Sequence, residues 1–517
     1  PAMSTRLRYP ELIVFVSNAA LMIIEIVAGR VLAPVVGVSL FTWTSVIGVI
    51  LAGMSIGNLL GGWLADRRAT PRLLGLVLFT VSFLTLAIIP LSDTLNHSFR
   101  LDFIPNLRPA FVPILLRFIL TTAVPFFVPA IMLGMVSPLV VKLSLQNLEN
   151  SGSLVGRIYA SAAGGSILGT FLAGFYLIAW LGVFQVLIGV AVLLALLGVL
   201  VGAWGQISRV AILFLVAAGS AYALLNPMHD PLCQRESAYY CIRVPEDVAG
   251  GRRVKYLVLD RLIHSIVDVR KPLRLQYPYE RVEAAVIARQ LPPPRPVRAL
   301  ILGGGGFSFP RYLESRYADG EVTTIEIDPA VIEIARDEGW LPPTSRIKII
   351  NQDARLAVEA LAPDERFDII MLDTFNDYGV PYHLTSLEFF QRLLSHLAPD
   401  GLLMTTVIDG KSGNFAFVRS LAWTILQVLP HVYLNPMVGY WDAGYEGNLT
   451  FVVLAGRNEL DLADLPVEYQ TQERAHWDFL TDAQFQAFLN PQTLNVLTDQ
   501  YAPVDNLLAP VFEFALR

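Results

Sequence analysis

Four short apolar runs in the second half of this 517-residue chain end beside glycines or an acidic residue. The residues concerned are Gly303, Gly304, Gly305, Gly306, Glu326, Asp353 and Asp373. Bare glycine backbone offers N–H groups to the polar tail of a nucleoside, and an acid about 20 residues further on accepts hydrogen bonds from ribose hydroxyls. The pattern predicts a nucleoside site, with Glu326 on the ribose and Asp353 near the exocyclic amine of an adenine.

A departure in the glycine pattern indicates the kind of nucleoside. Ser308 stands where a G-x-G-x-x-G dinucleotide fingerprint would have its third glycine. Acids at the ends of three successive runs favour an S-adenosyl nucleoside over NAD. Its sulfonium is a built-in leaving group, so the protein need only align a nucleophile with the carbon and remove the nucleophile's proton.

Four side chains are candidates for that positioning and deprotonation: Asp373, Asp377, Tyr279 and His383. Asp373 is preferred because acids at strand ends face the ligand in sheets of this kind. The alternative for His383 is an ordinary loop histidine, and for Tyr279 an ordinary residue at a helix N-terminus. Asp328 is interpreted as a helix cap.

The elements that must hold these residues alternate between strands and helices. Strands are predicted at 297–302, 322–327, 347–350, 367–372, 402–407 and 449–455. This alternation is typical of a parallel doubly wound α/β (Rossmann) sheet, whose ligands bind outside the carboxyl ends of the strands. Short alternating runs at 238–244, 254–259 and 263–269 predict a small β-domain in front of it, and a helix is expected at 279–290.

The first half of the chain has a different composition. Hydrophobic residues make up 54% of the whole sequence and charged residues 16%, yet residues 1–226 hold only 12 Lys+Arg and 6 Asp+Glu. Seven apolar runs occur there, at 12–32, 42–64, 73–91, 111–141, 159–181, 184–203 and 210–225. Six have the length that a membrane span needs, about 17–25 residues, and the seventh is short. The fourth carries four prolines and is expected to be kinked.

Small residues and two charges stand out within these runs. Gly53, Gly57 and Gly61 recur at every fourth residue, as do Gly165, Gly169 and Ala173, which favours close helix packing and therefore a bundle. Glu25 lies deep in the first run and Arg30 follows it. Intramembrane charges are costly and tend to be functional, whereas the alternative is a Glu25 that only locks the bundle.

Lys and Arg in the short loops place the N-terminus in the cytoplasm. An odd number of spans then puts the soluble half outside, although the inferred nucleotide is made in the cytosol, so the side of the membrane stays open.

Cys233 and Cys241 are either a reduced, partly buried pair or a disulfide, which requires an oxidising compartment. They are too few for a zinc site, and no metal is expected. The net charge of −12 on residues 227–517 argues against a nucleic-acid partner.

Six motifs follow one another along the second half of the chain: Tyr256-Leu-Val-Leu-Asp260-x-x-Ile-His264, the helix opening at Tyr279, Ile301-Leu-Gly-Gly-Gly-Gly306, Ile325-Glu326-Ile-Asp328, the Asp353 turn and Asp373-x-x-Asn376-Asp377. Together they resemble the spermidine synthases, the polyamine aminopropyltransferases. The likeness covers residues 237–455, and with the apolar runs in front the chain resembles bacterial membrane-fused spermidine synthase-like proteins. The resemblance implies a β-domain on a methyltransferase-type Rossmann domain that binds decarboxylated S-adenosylmethionine and a polyamine. It also implies Glu326 on the ribose, Asp353 on the adenine edge and a gate loop from Asp373 through Tyr382.

The chain departs from that family at three positions. Gly306 stands where the glycine loop ends in an acid, Asn376 where the family has a second acid taken as the base, and His264 where it has a glutamine. Losing two carboxylates weakens the binding of a cationic amine and would tolerate a donor that keeps its own carboxylate, S-adenosylmethionine itself. Asp377, one residue along, is the substitute base.

These observations divide the chain into a transmembrane helical domain at 1–226, a small β-domain at 227–278, a Rossmann-like domain at 279–460 and a C-terminal extension at 461–517 that packs on one of the others.

The leading hypothesis is a membrane-integrated transferase that moves an aminopropyl group to an amine, with Tyr382 and His383 in the substrate loop. A homodimer is also expected. One alternative is methyl or aminocarboxypropyl transfer from S-adenosylmethionine, to a lipid or a small molecule. Another is a non-catalytic nucleoside or polyamine sensor that acts on a membrane pathway through Glu25.

Overall fold

The structure is a computed structural model that describes residues 7, 9–37, 39–98, 111–145, 151–202, 233–249, 252–271, 273–374, 379–437, 447–466, 477–490 and 494–511. The chain forms two compact units. The first consists of residues 1–241 apart from a short segment at 109–111, and the second begins at Ile242.

Helices make up most of the first unit. They are α1 (Pro10–Val36), α2 (Leu40–Arg68), α3 (Pro71–Ser98), α4 (Phe111–Gly134), α5 (Val136–Ser144), α6 (Ser151–Leu172), a π-helical turn (Ala173–Leu177) and α7 (Ile178–Val201). In the part of the chain that the structure describes, six helical segments are long and apolar enough to cross a membrane. The seventh predicted run, 210–225, lies outside the described residues.

The fourth apolar run, for which a kink was predicted, is described by the structure as two consecutive helices. Pro125 and Pro129 lie inside α4, and the break between α4 and α5 falls at Met135. Pro138 has no N–H to donate to the carbonyl of Gly134, four residues earlier, which accounts for a break at this point.

Glycines let the helices touch backbone to backbone. A Cβ built on Gly57 would lie 2.1 Å from the carbonyl oxygen of Ile131, and one on Gly165 would lie 2.1 Å from that of Phe15. Gly169 similarly faces Ala19. The close packing that the four-residue spacing predicted is therefore present.

The segment that follows the helices, still in the first unit, is held by a disulfide. Cys233 and Cys241 are bonded to each other, so the disulfide alternative is the one that the structure contains. Arg30 of α1 donates hydrogen bonds to the carbonyls of Ser237 and Tyr239 inside this loop.

A small antiparallel sheet opens the second unit. Its strands are β2 (Cys241–Arg243), β3 (Glu246–Ala249), β4 (Arg252–Leu259) and β5 (Leu262–Asp268), after a two-residue β1 (Arg235–Glu236) that belongs to the first unit. β2 and β3 pair with one edge of β4 in a continuous register, and β5 pairs with the other edge. The turn from β4 to β5 is tight, with Asp260 at a φ of 53°.

A seven-stranded sheet follows. Its strands are β6 (Arg298–Leu302), β7 (Glu321–Glu326), β8 (Lys348–Asn351), β9 (Phe367–Leu372), β10 (Leu397–Gly410), β11 (His431–Pro436) and β12 (Asn448–Gly456), in the order β11-β12-β10-β9-β6-β7-β8. The five strands from β8 to β10 are parallel, whereas β12 is antiparallel to both β10 and β11. The prediction of a wholly parallel sheet was therefore wrong at this edge, and β11 was not predicted.

Helices cover both faces of this sheet. They are α8 (Pro278–Gln290), α9 (Ser308–Arg316), α10 (Pro329–Asp337), α11 (Ala354–Glu359), α12 (Leu387–Leu394), α13 (Ala416–Leu426), α14 (Asp482–Leu489) and α15 (Val504–Leu507). The C-terminal extension packs on the sheet's own core, where Phe488 of α14 lies 5.9 Å from the ring of Phe451 and 6.0 Å from that of Phe415. Leu489 and Leu497 are fully buried in the same cluster.

Candidate functional site

The glycine run forms a tight turn at the carboxyl end of β6. Gly303 has a φ of +102°, and a Cβ built there would lie 2.0 Å from the carbonyl oxygen of Asp373. Gly305 also has a positive φ, of +49°. Since any other residue would be strained or would clash at Gly303, the turn brings the backbone directly against the end of β9.

Glu326 lies beneath this turn at the end of β7. Its Oε2 accepts from the N–H of Gly304 at 2.7 Å, and its Oε1 accepts from the N–H of Asp328 at 2.9 Å. Burial raises the pKa of Glu326, and these backbone hydrogen bonds act in the opposite direction. Asp328 caps α10 through the N–H of Ala330 at 2.9 Å, so its predicted capping role is confirmed.

Asp353 makes two kinds of contact after β8. Its Oδ1 caps α11 by accepting from the N–H groups of Arg355 and Leu356 at 2.9 and 3.1 Å. Its Oδ2 lies 3.1 Å from Nε2 of His383. The structure therefore brings together two predicted site residues that are 30 positions apart, and Tyr382 stacks edge-on against the same imidazole at 5.7 Å.

Asp373 and Tyr279 form a hydrogen-bonded pair next to the glycine turn. Burial raises the pKa of Asp373 to about 6; the hydrogen bond from Tyr279 lowers it and the charge of Glu326 raises it. Burial and the charges of Asp373 and Glu280 hold the pKa of Tyr279 well above its usual value, so its hydroxyl keeps its proton. The ring of Tyr277 packs 5.0 Å from that of Tyr279, and its hydroxyl donates to the carbonyl of Ile263 at 2.6 Å.

Two buried acids beside this pair were missed by the sequence analysis. Glu280 accepts from the hydroxyl of Ser308 at 2.6 Å, and burial raises its pKa to about 7. Glu283 is fully buried, and its Oε1 accepts from the hydroxyl of Thr406 at 3.0 Å. Burial and then the charge of Asp373 raise its pKa well above the usual range. The available signal was that Glu283 is alone among apolar residues over 282–287.

The hairpin β4–β5 reaches the far side of the turn. The hydroxyl of Ser265 accepts from the N–H of Gly306 at 2.8 Å, and a Cβ built on Gly306 would lie 2.8 Å from the Cβ of Ser265. Ser265 therefore fills the space that an acidic side chain at position 306 would enter. The neighbouring His264 is also brought to the turn, and burial lowers its pKa to about 4, which keeps the imidazole neutral.

The remaining predicted residues lie elsewhere. Asn376 and Asp377 lie outside the described residues. Glu25 and Arg30 belong to the first unit, and the structure gives the buried Oε2 of Glu25 no hydrogen-bond partner among the residues it describes. No group of three or more potential metal ligands occurs within the described ranges.

Comparison with known proteins identifies the same part of the chain. Residues 286–434 match the family described as the spermine/spermidine synthase domain. A polyamine aminopropyltransferase of Vibrio vulnificus is 33% identical over 137 residues, which are 26% of this chain and 45% of that protein. A polyamine aminopropyltransferase of Leptospira interrogans is 23% identical over 538 aligned positions, covering 96% of this chain and 94% of that protein.

Most of these matches cover only part of this chain or of the matched protein. The chain spans less than half the length of the first three curated relatives, at 45%, 35% and 28%. Among solved structures, a probable spermidine synthase from Corynebacterium glutamicum is 20% identical, with a TM-score of 0.45, and covers 51% of this chain and 95% of that one. Matches along nearly the whole length come from the Leptospira relative.

Proposed function

We propose that this chain, which carries a spermine/spermidine synthase domain behind long apolar helices, six of them within the described residues, is a membrane-integrated aminopropyltransferase. It transfers the aminopropyl group of decarboxylated S-adenosylmethionine to a small amine or polyamine. The observation that carries the proposal is the Asp373–Tyr279 pair, which lies directly against the glycine turn at the carboxyl ends of neighbouring parallel strands.

The donor is held by the elements around that turn. Glu326 has both oxygens fixed by backbone N–H groups and keeps further lone pairs for ribose hydroxyls. Asp353, fixed as a helix cap and by His383, is placed for the adenine edge. The neutral His264 and the hydroxyl of Ser265 line the other side of the turn.

The reaction needs little covalent chemistry from the protein. The amine nitrogen attacks the methylene carbon of the aminopropyl chain that is bonded to the sulfonium sulfur, this carbon–sulfur bond breaks, and the sulfur leaves with the electron pair as neutral methylthioadenosine. The proton lost by the nitrogen passes to Asp373. A base works best when its pKa lies near the working pH, and burial raises the pKa of Asp373 in that direction, to about 6.

The helical unit suits a lipid bilayer as its solvent. Its six long segments have mean hydropathies of 1.3–2.8, and glycines pack them into a bundle. We therefore place the protein in a membrane as a multi-pass protein. The Lys and Arg residues of its short loops favour an N-terminus in the cytoplasm.

A direct test uses the purified full chain in detergent, with decarboxylated S-adenosylmethionine and diamines of three to five carbons. Methylthioadenosine and the aminopropylated amine are expected in equal amounts by mass spectrometry. The matched variants are Asp373→Asn, which should lose activity, and Asp368→Asn, which changes an acid that pairs with Arg295 and lies in β9, the strand that Asp373 follows. No methylthioadenosine with any amine would overturn the proposal.

One observation favours a second donor. Because Ser265 fills the space beside Gly306, the tail of the nucleoside meets a hydroxyl and not a carboxylate, which suits a donor that retains its own carboxylate. Methylthioadenosine from S-adenosylmethionine would indicate aminocarboxypropyl transfer, and S-adenosylhomocysteine would indicate methyl transfer. Activity with the decarboxylated donor alone would exclude both.

A further inference from the structure

A cavity of about 500 Å³ lies among the helices of the first unit. Its walls come from α1, α2, the junction of α4 with α5, and α6. The polar residues that line it, apart from Tyr159, are Ser17, Asn18, Asn58, Asp66, Ser137 and Lys142. Sites for small molecules have volumes of about 300–1,000 Å³ and combine apolar walls with a few polar groups, as this cavity does.

The break between α4 and α5 forms part of the cavity wall. Gly134 and Pro138 both line it, and Pro138 cannot supply the N–H that the carbonyl of Gly134 would receive in a continuous helix. In hydrocarbon, interrupted helical backbone is tolerated where it is buried in protein or faces a water-filled cavity. The backbone stays helical through Met135, so this wall contributes one feature, a carbonyl of Gly134 that receives no N–H from residue 138.

Two opposite charges from different helices, Asp66 of α2 and Lys142 of α5, line the cavity. Nζ of Lys142 is 2.8 Å from Oδ1 of Asp66, and the two side chains are 47% and 75% exposed. They are the charged residues among those that line the cavity. An exposed ion pair contributes little stability, so a ligand can exchange partners with it readily.

The charge of the ligand follows from this pair. A net cation would take Asp66 and leave Lys142 unpaired, and a net anion would do the reverse. A ligand with an ammonium group and an anionic oxygen pairs with both. The amide groups of Asn18 and Asn58 and the hydroxyl of Ser137 add neutral hydrogen-bonding groups along the wall.

We propose that this cavity is a binding site for a zwitterion, in which Asp66 receives the ammonium group and Lys142 the anionic group. The ligand is a free neutral amino acid or the headgroup of a zwitterionic lipid, which share this chemistry. The proposal does not depend on the transfer reaction, because every residue of the site belongs to the helical unit.

The experiment uses the full chain in nanodiscs of anionic phosphatidylglycerol, with L-methionine and L-alanine as free probes and tetramethylammonium and succinate as net-charged comparators. Tetramethylammonium has no lone pair on nitrogen and therefore is not an acceptor for the transfer reaction. Calorimetry is expected to show at least a tenfold preference for an amino acid over both comparators. In a second arm phosphatidylethanolamine is added to the discs, and native mass spectrometry measures its retention. Amino-acid binding identifies a free solute, and selective retention of phosphatidylethanolamine alone identifies a headgroup.

Charge variants decide whether the ion pair carries the binding. Asp66→Asn and Lys142→Gln should each weaken it at least tenfold, and the double exchange Asp66→Lys with Lys142→Asp should restore it to within threefold. Glu11→Gln, which removes a 3.3 Å ion pair with Arg157 outside the cavity, is the matched control and should have no effect. The proposal is overturned if neither class of probe is preferred, or if the double exchange, folded by its unfolding temperature, binds no better than the single variants.

Discussion

Burial, a hydrogen bond and a neighbouring charge all influence the pKa of the Asp373 carboxyl group. Burial raises its pKa to about 6, and the hydroxyl of Tyr279 prevents a larger rise. A carboxylate of this kind is mostly ionised at pH 7 yet basic enough to accept a proton from an amine.

We predict that Asp373→Asn lowers the rate of methylthioadenosine formation by about 10²–10⁴-fold, the range for loss of a general base. In the wild type, kcat/KM should fall as the pH decreases through about 6, because protonation removes the base. Rates measured from pH 5 to 8 test both statements. A wild-type profile that stays flat from pH 5 to 7, or an Asn variant as active as the wild type, would contradict the assignment.

Glu283 differs in one oxygen from three other buried acids whose pKa is raised by burial. Glu280, Glu326 and Asp409 accept hydrogen bonds at both oxygens, whereas the structure gives Oε2 of Glu283 no partner among the described residues. If Glu283 were ionised, no hydrogen bond at Oε2 would offset the loss of water around its charge. This agrees with a pKa that burial holds well above its usual value.

We predict that Glu283→Gln raises the unfolding temperature relative to the wild type as the pH increases from 5 to 8. The native state holds a proton that the unfolded state releases above about pH 4.5, so wild-type stability falls as the pH rises towards the native pKa. Gln cannot ionise and escapes this loss. Thermal unfolding of the full chain measures it, with Glu321→Gln, an exposed acid, as the control. A difference independent of pH would count against the prediction.

The sequence indicated the residues that follow strands but not those that a neighbouring element buries. Glu326, Asp353 and Asp373 each follow an apolar run, so their place at one edge of a parallel sheet was predictable. Whether Glu283 faces solvent depends on the packing of α8 against Thr406, 123 residues away. The filling of the space beside Gly306 by Ser265 likewise depends on how the hairpin meets the turn.

At the scale of elements, glycine spacing in the apolar runs predicted contacts that the structure contains. Gly57 faces the backbone of Ile131 in α4. At Gly48, in the same helix, no atom of the described residues outside its own stretch of helix lies within 4 Å of the place where its Cβ would be. The two positions are therefore a matched pair, because both are glycines of α2 and only one of them contacts another helix.

We predict that Gly57→Ala lowers the unfolding temperature and that Gly48→Ala leaves it unchanged or raises it. At Gly57 the added methyl would lie 2.1 Å from a carbonyl oxygen, so α2 and α4 must separate. At Gly48 alanine brings only its helix propensity, about 0.8–1.0 kcal/mol better than glycine in a helix interior. Thermal unfolding in detergent compares the two, and equal effects would show that the contact at Ile131 does not hold the helices together.

The antiparallel edge of the large sheet, formed by β11 and β12, was not predicted from the hydrophobic pattern of the sequence. Two neighbouring parallel strands must be joined by a crossover connection of a dozen or more residues, which is usually a helix. A sequence that alternates between strand and helix patterns therefore indicates parallel strands. β11 and β12 are joined without a described helix, and β11 has only Val432 and Leu434 as alternating apolar residues before Asn435 and Pro436. So short a strand has no clear period, and its pairing with β12 supplies what its own sequence lacks.

At the scale of the whole molecule, the division into an apolar and an acidic half was readable from composition alone. Residues 1–226 have a net charge of +6 and residues 227–517 of −12, and the structure separates the chain into two units near residue 241. The side of the membrane on which the acidic unit lies depends on the number of spans, and the run at 210–225 lies outside the described residues. The disulfide between Cys233 and Cys241 offers an independent route to the answer.

We predict that in intact cells neither cysteine reacts with a maleimide–polyethylene glycol until a reductant is added, after which both do. Disulfides persist in oxidising compartments, so a protected pair places the loop at 233–241, and the unit that follows it, outside the cytoplasm. Cys233→Ser is the control, because it frees Cys241 and should give one labelled product without reductant. If instead neither thiol is labelled in intact cells even with reductant, and both are labelled without reductant after lysis, the loop lies in the cytosol, where the donor nucleotide reaches the site without crossing the membrane.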